Sequence, residues 1–409
     1  MKRLLSTAHL ENTGSLRLDR FAVGKKPDGT LEYGNVLAMW VADMDFKSPP
    51  HITNALVKRA GSGMFGYPVA TAQDYDAVLS YIDRRHGQAH LSPDQLVLLP
   101  ALVPALNACA KAFASKQSTV LVMPPIYPPF LSAPVLQGSS VSSVPLIPPS
   151  SADGAGGAGG GWEVDWAKLE DDRQSSVLFL CNPHNPVGKV FTKPELVRLL
   201  EICRGKGMVV VSDEIHCDLV FGGNKEHVTC LGLGYDDILV VLHAPSKTYN
   251  LAGIGCALAV IPDSELRQRF KRATRGIMGD ISLFGLAAMR AAYGEHDQSQ
   301  SWRSELLGKL ETNKLIISDY CDAEGGRIKF HSAAHDATYL AWLDCRGLGE
   351  LAPEFSSRQD FFLKTKGLAL NDGRTFFPPA SSATGKHFVR LNFACSEQRL
   401  REALARMFQ

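Results

Sequence analysis

The sequence predicts an α/β fold, in which a large domain with a mostly parallel, doubly wound sheet is accompanied by a smaller α+β domain. The first observation is a set of short apolar runs without polar alternation, which is typical of strands covered on both faces. The second is that helical stretches rich in Ala, Leu and Arg separate these runs, as in β–α–β units. The predicted strands cover residues 95–99, 119–123, 176–181, 208–212, 238–242 and 256–261.

The pattern changes near residue 300, which predicts a domain boundary. We expect residues 1–50 to form an N-terminal arm and part of the small domain. Residues 51–299 are expected to form the large domain, because they contain all six apolar runs. Residues 300–409 are then the C-terminal small domain.

The C-terminal part has predicted elements of its own. A long amphipathic helix containing Trp302 and Leu310 is followed by strands near residues 338–343 and 386–393. Upstream, the Gly-rich segment 150–162 cannot bury apolar surface and predicts a surface loop. It lacks the Lys-Ser/Thr ending of a phosphate-binding loop, so we do not assign a phosphate to it.

Composition favours small-molecule chemistry. The chain has 409 residues, 45% of them hydrophobic and 21% charged, which is ordinary for a globular enzyme. A net charge of +1 lacks the excess of Lys and Arg that nucleic acids or anionic membranes require. No stretch approaches the roughly 20 apolar residues of a membrane span, and the first residues lack a secretory run, so a cytoplasmic location is expected.

The cysteines indicate a reducing environment. There are nine, and no two of them form a C-x-x-C pair. This pattern favours reduced thiols in the core over a disulfide framework or a zinc site, and no metal is expected.

Three polar residues follow predicted strands: Asn185, Asp213 and Lys247. Ligands of doubly wound sheets bind beyond the carboxyl ends of the strands, so these residues should share one site. A loop lysine is usually solvated, but Lys247 in this company is expected to be a functional amine. Asp213 ends an apolar strand, where a carboxylate needs a cationic or donor partner. The alternative for Asp213 is a helix N-cap.

Other side chains suit a flat, charged ligand. Tyr127 lies between prolines that restrict the backbone, which suits an aromatic plate against a ring, although a core tyrosine is the alternative. The amide of Asn185, in an Asn-Pro-Val-Gly turn, would donate to a ring oxygen. Arg390 lies in an otherwise apolar strand, which predicts a bidentate carboxylate ligand or, alternatively, a structural ion pair.

An anion site is predicted where residues 101–104 precede a helical stretch. Pro104 at the helix start, the free amides before it and the hydroxyl of Ser246 would bind a phosphate. His216 would either contact the ring or cap a helix. An amine, a carboxylate, ring donors, a phosphate site and an arginine are together the groups that pyridoxal 5′-phosphate (PLP) requires.

Motifs along nearly the whole chain carry a family resemblance. They include WVADMDF at residues 40–46, PPIYPPF, CNPHNPVGKV, SDEIHCDLVF, APSKTYNLAGIG and FVRLNFACS. On these motifs the chain resembles the fold-type I PLP-dependent aminotransferase superfamily. Within it, the chain is similar to the MalY/PatB subgroup of cystathionine β-lyases and cysteine-S-conjugate β-lyases.

The resemblance implies a role for each site residue. Lys247 would bind the cofactor covalently and act as the catalytic base, Asp213 would pair with the pyridine nitrogen, and Tyr127 would stack on the ring. A homodimer with sites at the subunit interface is also implied. The remaining assignments are His216 and Asn185 at the ring; Ala101, Leu102, Val103, Ser246 and, from the neighbouring subunit, Tyr67 at the phosphate; and Arg390, Ala42 and Asp43 at the substrate.

Three positions depart from the family pattern. Ordinary aminotransferases carry a phosphate-binding arginine eight residues after the lysine, where this chain has Gly255, and the lyase subgroup also lacks that arginine. Ala101 stands where the subgroup usually has a glycine. Residues 371–385 differ from the usual Gly-x-x-Phe-Gly pattern and are expected to line the substrate pocket.

The implied reaction is a β-elimination. Lys247 would remove the Cα proton, a thiolate would leave the β carbon, and pyruvate and ammonia would follow. One alternative is an aminotransferase, and another is a specialised biosynthetic PLP enzyme that acts on a bulky cysteine conjugate by β-elimination or decarboxylation. A third is a regulatory binding protein, against which the presence of Lys247 argues.

Overall fold

A computed structural model of the chain describes residues 15–19, 22–25, 31–149, 160–222 and 225–408. Residues 150–159, most of the predicted Gly-rich loop, lie outside the described residues, as do the first 14 residues of the predicted arm. No helix in the described ranges is both long and apolar enough to cross a bilayer.

The described ranges contain the following helices and strands. The helices are α1 (Leu16–Asp19), α2 (Pro50–Gly61), α3 (Ala72–His86), α4 (Leu102–Phe113), α5 (Pro128–Leu136), α6 (Trp166–Asp171), α7 (Lys193–Gly205), α8 (Ser264–Thr274), α9 (Leu283–Gly294), α10 (His296–Ala323), α11 (Arg358–Lys366) and α12 (Glu397–Phe408). The strands are β1 (Ala22–Lys25), β2 (Leu31–Tyr33), β3 (Leu37–Ala38), β4 (Leu96–Leu99), β5 (Thr119–Val122), β6 (Ser140–Ser143), β7 (Ser175–Cys181), β8 (Val209–Asp213), β9 (Leu239–His243), β10 (Ala257–Val260), β11 (Lys329–Phe330), β12 (Leu340–Asp344), β13 (Leu368–Ala369), β14 (Asn371–Asp372) and β15 (Phe388–Asn392).

The central sheet has seven strands in the order β4-β10-β9-β8-β7-β5-β6. Strand β10 runs antiparallel to both of its neighbours, and the other pairs are parallel. All six predicted strands are confirmed to within two residues at each end. The sequence missed β6, because its Ser-Val-Ser-Ser composition at a sheet edge gives no apolar run.

Both faces of this sheet are covered, as the apolar runs predicted. Along β7, Val177 and Phe179 pack into one buried cluster, while Leu178 and Leu180 pack into the other. Because successive strand residues point to opposite faces, a strand apolar at every position requires helices on both sides. The cluster containing Val177 and Phe179 is closed by residues of α4, α5 and α8.

The C-terminal part forms a four-stranded antiparallel sheet in the order β11-β12-β15-β14. The predicted long helix is α10, which buries Trp302 and Leu310 as expected. Strand β3 pairs in parallel with β13, which attaches residues 37–38 to this part of the chain. We propose on this basis that the arm belongs to the small domain and that the small domain resumes with α10.

One predicted helix boundary was wrong. Residues 101–104 were expected to precede the helix, but α4 already begins at Leu102, so Pro104 lies in its first turn. Proline is compatible with that turn because the first four N–H groups of a helix have no partner within the helix. The amides available to a ligand are therefore those of α4 itself.

Candidate active site

The carboxyl ends of β7, β8 and β9 bring the three predicted polar residues to one edge of the sheet. Cys181 and Asp213 are paired in register, as are Asp213 and Leu242. Asn185 follows β7, Asp213 ends β8, and Lys247 follows β9 in a turn. All three line one cleft with about 820 Å³ of empty space.

Lys247 is an enclosed amine in this cleft. Its Nζ donates a hydrogen bond of 2.7 Å to the carbonyl oxygen of Ala42. Burial, reinforced by the positive charge of Arg390, lowers the pKa of Lys247 from 10.5 to about 8, although the Asp43 and Asp213 carboxylates oppose the shift. The amine is therefore much closer to neutrality than an exposed lysine.

Asp213 is a buried carboxylate that is short of donors. Its Oδ1 accepts one hydrogen bond, of 3.1 Å, from the backbone N–H of Ile215. Burial raises the pKa of Asp213 from 3.8 to about 7, although that bond and the charge of Lys247 act in the other direction. No ion pair of Asp213 occurs within the described ranges, and no helix follows it, so the helix-cap alternative is wrong.

Asn185 and Arg390 form one hydrogen-bonded unit. Nη1 of Arg390 donates to Oδ1 of Asn185 at 3.0 Å, and this leaves the Asn185 NH₂ group as a donor toward the cleft. Nε and Nη2 of Arg390 both donate to Oδ1 of Asn371, at 3.1 and 2.6 Å. Nη2 also donates to the carbonyl oxygen of Trp40 at 3.2 Å.

Every hydrogen-bond acceptor around Arg390 is uncharged. Burial lowers the pKa of this guanidinium from 12.5 to about 10, and no carboxylate forms an ion pair with it in the described part of the chain. The predicted alternative, a structural ion pair, is therefore wrong for these residues. A buried cation held only by neutral groups can still gain from an anionic ligand.

The aromatic and imidazole side chains around the cleft are uncharged. Tyr127 lines the cleft, its backbone N–H donates to the Asn185 carbonyl at 3.1 Å, and burial raises the pKa of its phenol. His216 also lines the cleft, and burial lowers its pKa from 6.5 to about 3. No helix begins at His216, so of its two predicted roles only the one in the cleft agrees with the structure.

The N-terminus of α4 closes one end of the cleft. Ala101 is the N-cap residue, and Ala101, Leu102, Val103 and Ser246 all line the cleft. The first turn of α4 contains no acidic residue, so its free N–H groups can attract an anion. Gly255 faces this end with φ of +71°, and a Cβ there would approach the Pro100 carbonyl oxygen to 3.2 Å. An arginine at this position would therefore strain the backbone.

The segment 40–46 contributes to the wall of the cleft opposite α4. The sequence analysis placed Ala42 and Asp43 there, but not the residues that hold the segment. Ala42 lines the cleft, and its carbonyl oxygen accepts from both Lys247 and, at 3.1 Å, the hydroxyl of Tyr339. Asp43 forms an ion pair of 3.2 Å with Arg17, and burial raises the pKa of its carboxyl. Asp43 is therefore already partnered, unlike Asp213.

Two asparagines that the sequence interpretation missed hold this segment in place. Asn250 donates to the carbonyl oxygens of Met44 and Phe46, at 3.1 and 2.8 Å, and accepts from the N–H of Met44 at 3.0 Å. Asn392 donates to the carbonyl oxygens of Val41 and Asp43. Asn250 has φ of +57°, a conformation in which asparagine is enriched, but the sequence alone indicated neither contact.

Two other predicted residues do not line this cleft. Tyr67 is fully exposed and lies beside Phe65 and Phe284 on the surface, so within one chain it does not reach the site. The segment 371–385 was expected to line the pocket, but it contributes no residue to the cleft around Lys247. It reaches the site indirectly, because Asn371 and the ring of Phe376, 5.1 Å from the guanidinium, contact Arg390.

Comparison with known proteins gives a consistent family match. The family model for class I and II aminotransferases matches residues 35–407. The cystathionine β-lyase PatB of Bacillus subtilis is 35% identical over 379 residues, which cover 91% of this chain and 92% of that protein.

Solved structures give the same match in three dimensions. The crystal structure of OvoB superposes with a TM-score of 0.86 at 31% identity, and covers 100% of this chain and 98% of that one. The crystal structure of cystalysin from Treponema denticola, which contains PLP, superposes with a TM-score of 0.87 at 26% identity, with the same coverage of both chains.

Proposed function

The chain belongs to the class I and II aminotransferase family and is a PLP-dependent enzyme, and we propose that its reaction is carbon–sulfur β-elimination. The substrate is cystathionine or another cysteine S-conjugate, and the products are a thiol, pyruvate and ammonia. The observation that carries the proposal is that one cleft holds both the enclosed Lys247 amine and the Asp213 carboxylate, which forms no ion pair in the described part of the chain. The 35% identity with a cystathionine β-lyase supports elimination over transamination.

The residues of the cleft fit PLP. A buried carboxylate with a single backbone donor gains from a cationic ring nitrogen, and Asp213 is such a carboxylate. The N-terminus of α4 and the hydroxyl of Ser246 suit a phosphate, and the Asn185 NH₂ suits a ring oxygen. We propose that Ala101, Val103, Tyr127 and His216 complete this binding site.

The side chains of the protein would control the proton and the geometry of the reaction. PLP, when bound, supplies an electron-withdrawing ring that stabilises negative charge at the substrate α carbon. Lys247 Nζ, when neutral, would take the Cα proton and could then return a proton to the departing sulfur. The carbonyl oxygen of Ala42 would hold Nζ in position in both its neutral and its protonated form.

Arg390 would bind the α-carboxylate of the substrate. Its guanidinium is fixed by Asn185, Asn371 and the Trp40 carbonyl, so little side-chain entropy remains to be lost when a carboxylate binds. Fixing the carboxylate fixes the direction of the Cα–H bond relative to Lys247. Ala42 and Asp43 would form the adjoining wall of the substrate site.

The test is product stoichiometry. The purified PLP-loaded protein is incubated with L-cystathionine and, separately, with an S-alkyl cysteine, while pyruvate, thiol and the cofactor spectrum are followed together. One substrate and one water should give one thiol, one pyruvate and one ammonia. Equal amounts of thiol and pyruvate support the proposal. A keto acid that retains the sulfur, formed with the amine form of the cofactor, would instead establish an aminotransferase.

We also propose that the protein is a cytoplasmic homodimer. Tyr67 lies on a surface with exposed apolar neighbours, including Met64, Phe65 and Val69. Such a surface is suited to a second subunit, which would bring Tyr67 to the phosphate end of the partner's cleft. Light scattering on the purified protein should give twice the mass of the chain, and a monomer that is fully active would contradict the proposal.

A further inference from the structure

A second cluster of reactive side chains lies behind β8, on the side away from the cleft. It contains His86 at the end of α3, Cys217 in the turn after β8, and His243 at the end of β9. One ligand atom from each of the three residues lies within 4.8 Å of the others. None of the three lines the cleft around Lys247, so the proposed reaction leaves this cluster unexplained.

Ring nitrogens in this cluster lack partners in the described part of the chain. Both ring nitrogens of His86 are buried without a hydrogen bond. Buried polar atoms nearly always have a hydrogen-bond partner, so an imidazole with two unpartnered ring nitrogens beside a thiol and a second imidazole indicates a missing ligand. Imidazole nitrogens together with a thiol favour a metal ion of intermediate softness.

The separation of Cys217 and His243 is close to that between two ligands of one metal ion. Sγ of Cys217 is 3.9 Å from Nδ1 of His243. Around a tetrahedral zinc ion, metal–sulfur and metal–nitrogen bonds of ~2.3 and ~2.1 Å place the donor atoms roughly 3.5 Å apart. Side-chain movements of well under a bond length would therefore bring Cys217 and His243 onto one ion.

Glu214 supplies the surroundings that such a site needs. Its Oε1 accepts from the N–H of Cys230 and from the hydroxyl of Ser212, both at 3.0 Å, which fixes the carboxylate. Its Oε2 lies 3.8 Å from Nε2 of His243, the nitrogen opposite the one that faces Cys217. Metal-bound histidines usually donate their second N–H to such a carboxylate.

The nearest anions would neutralise the ion. A divalent cation, the thiolate of Cys217 and the carboxylate of Glu214 sum to zero, which lowers the cost of burying the ion. Arg85 and Arg303 both pair with Asp218, at 3.0 and 2.6 Å, so these three groups add one net positive charge beside the site.

An entry path exists beside the cluster. A surface cleft with about 590 Å³ of empty space is lined by Tyr81, Arg85 and Asp218. The hydroxyl of Tyr81 lies 3.5 Å from Sγ of Cys217, so one side chain separates the thiol from this cleft. An ion or a fourth ligand such as water can therefore approach from solvent.

We propose that His86, Cys217 and His243 bind a zinc ion, with the fourth position open to water. The absence of C-x-x-C pairs had argued against zinc, but these ligands come from three separate segments. The ion would join α3 to the ends of β8 and β9, the strands that carry Asp213 and lead to Lys247. Its role would be to hold those strand ends together.

The test is metal content and cobalt spectroscopy on the PLP-loaded protein. After dialysis against a weak chelator, the protein is titrated with Zn²⁺ or Co²⁺ and analysed by elemental mass spectrometry. We expect one metal ion per chain and, with Co²⁺, a near-ultraviolet thiolate-to-cobalt charge-transfer band. Cys217→Ser should abolish that band and weaken binding by at least about 100-fold. Cys321→Ser, which removes a buried thiol far from the cluster in sequence, is the matched control and should retain both.

A second variant covers the case in which Cys217→Ser does not fold, as judged by circular dichroism and cofactor absorbance. His86→Gln removes a half-buried ligand and should weaken Co²⁺ binding while the charge-transfer band of the bound ion persists. The proposal is overturned if the wild-type protein binds less than one ion per two chains, or if Co²⁺ binds equally to the wild type and both variants without the band. Neither readout depends on catalysis, so failure of the β-lyase proposal would leave this result unaffected.

Discussion

Asp213 and Glu214 are adjacent in sequence and both buried, yet their carboxylates have opposite surroundings on the two sides of the sheet at the end of β8. The Asp213 side chain receives one backbone hydrogen bond, and burial raises its pKa to about 7. The Glu214 side chain receives hydrogen bonds from His227, Ser212 and the N–H of Cys230, and its pKa falls to about 2 despite burial.

The difference shows that burial alone does not identify a functional carboxylate. Burial disfavours the charged form of both groups, but only around Glu214 does the chain itself supply several compensating donors. The Asp213 side lacks them because it faces the cleft, where a bound group would complete the site. A buried charge that its own chain leaves uncompensated therefore points to a ligand.

The largest loss of kcat is expected from removing the Lys247 amine. Lys247→Ala should lower kcat by roughly 10⁴-fold, because both the covalent attachment point and the base are lost. It should also abolish the visible absorbance of the lysine-bound cofactor. Steady-state pyruvate formation and the absorbance spectrum measure both changes. Lys58→Ala, on the exposed face of α2, is the control, and an unchanged spectrum in Lys247→Ala would remove Lys247 from its proposed role.

A smaller loss of kcat should follow from replacing the Asp213 carboxylate by a neutral amide. Asp213→Asn should lower kcat by roughly 10³-fold, because an amide cannot hold a proton on the ring nitrogen. The measurement is kcat at saturating PLP and substrate, with the exposed Asp171→Asn as the control. If kcat stays within a few fold of wild type, Asp213 does not act on the cofactor.

Replacing Glu214, whose carboxylate is fully hydrogen-bonded, should reduce stability rather than activity. Glu214→Gln removes the anion that His227 contacts at 3.0 Å, and should lower the free energy of unfolding by about 3 kcal/mol while kcat changes only a few fold. Because folding lowers the pKa of Glu214 from 4.5 to about 2, this stabilisation is complete above pH 4.5 and declines as the pH falls toward 2. Urea unfolding at several pH values measures it. A large loss of kcat with unchanged stability would contradict the comparison.

The smallest effect is expected from changing Arg390, the proposed binding residue for the substrate carboxylate. Arg390→Lys keeps the charge but loses the planar, bidentate geometry, so KM for amino-acid substrates should rise by roughly 10-fold with little change in PLP affinity. Substrate saturation curves and PLP titration separate the two quantities. Arg346→Lys, at an exposed arginine paired with Asp344, is the control. Equal weakening of substrate and PLP binding would indicate that Arg390 is structural.

The sequence was most informative where local pattern decides structure. Uninterrupted apolar runs predicted the six buried strands, and their ends placed Asn185, Asp213 and Lys247 together. It could not reveal Asn250 and Asn392, because their role is to bind backbone carbonyls of a segment more than 200 residues away. It also gave no sign that Asn371 holds Arg390, since that contact depends on the register of β14 against β15.

The most direct test of the contrast on β8 is calorimetry of the PLP-free and PLP-loaded forms of the wild type and Asp213→Asn. In the PLP-free protein, a pKa raised from 3.8 to about 7 means that ionised Asp213 opposes folding above pH 7, and that this penalty fades as the pH falls toward 3.8. At pH 8 the PLP-free variant should therefore have a higher Tm than the PLP-free wild type, and PLP should reverse that order. Equal Tm values without PLP, together with equal increases on adding PLP, would contradict the claim that Asp213 is left uncompensated for the cofactor.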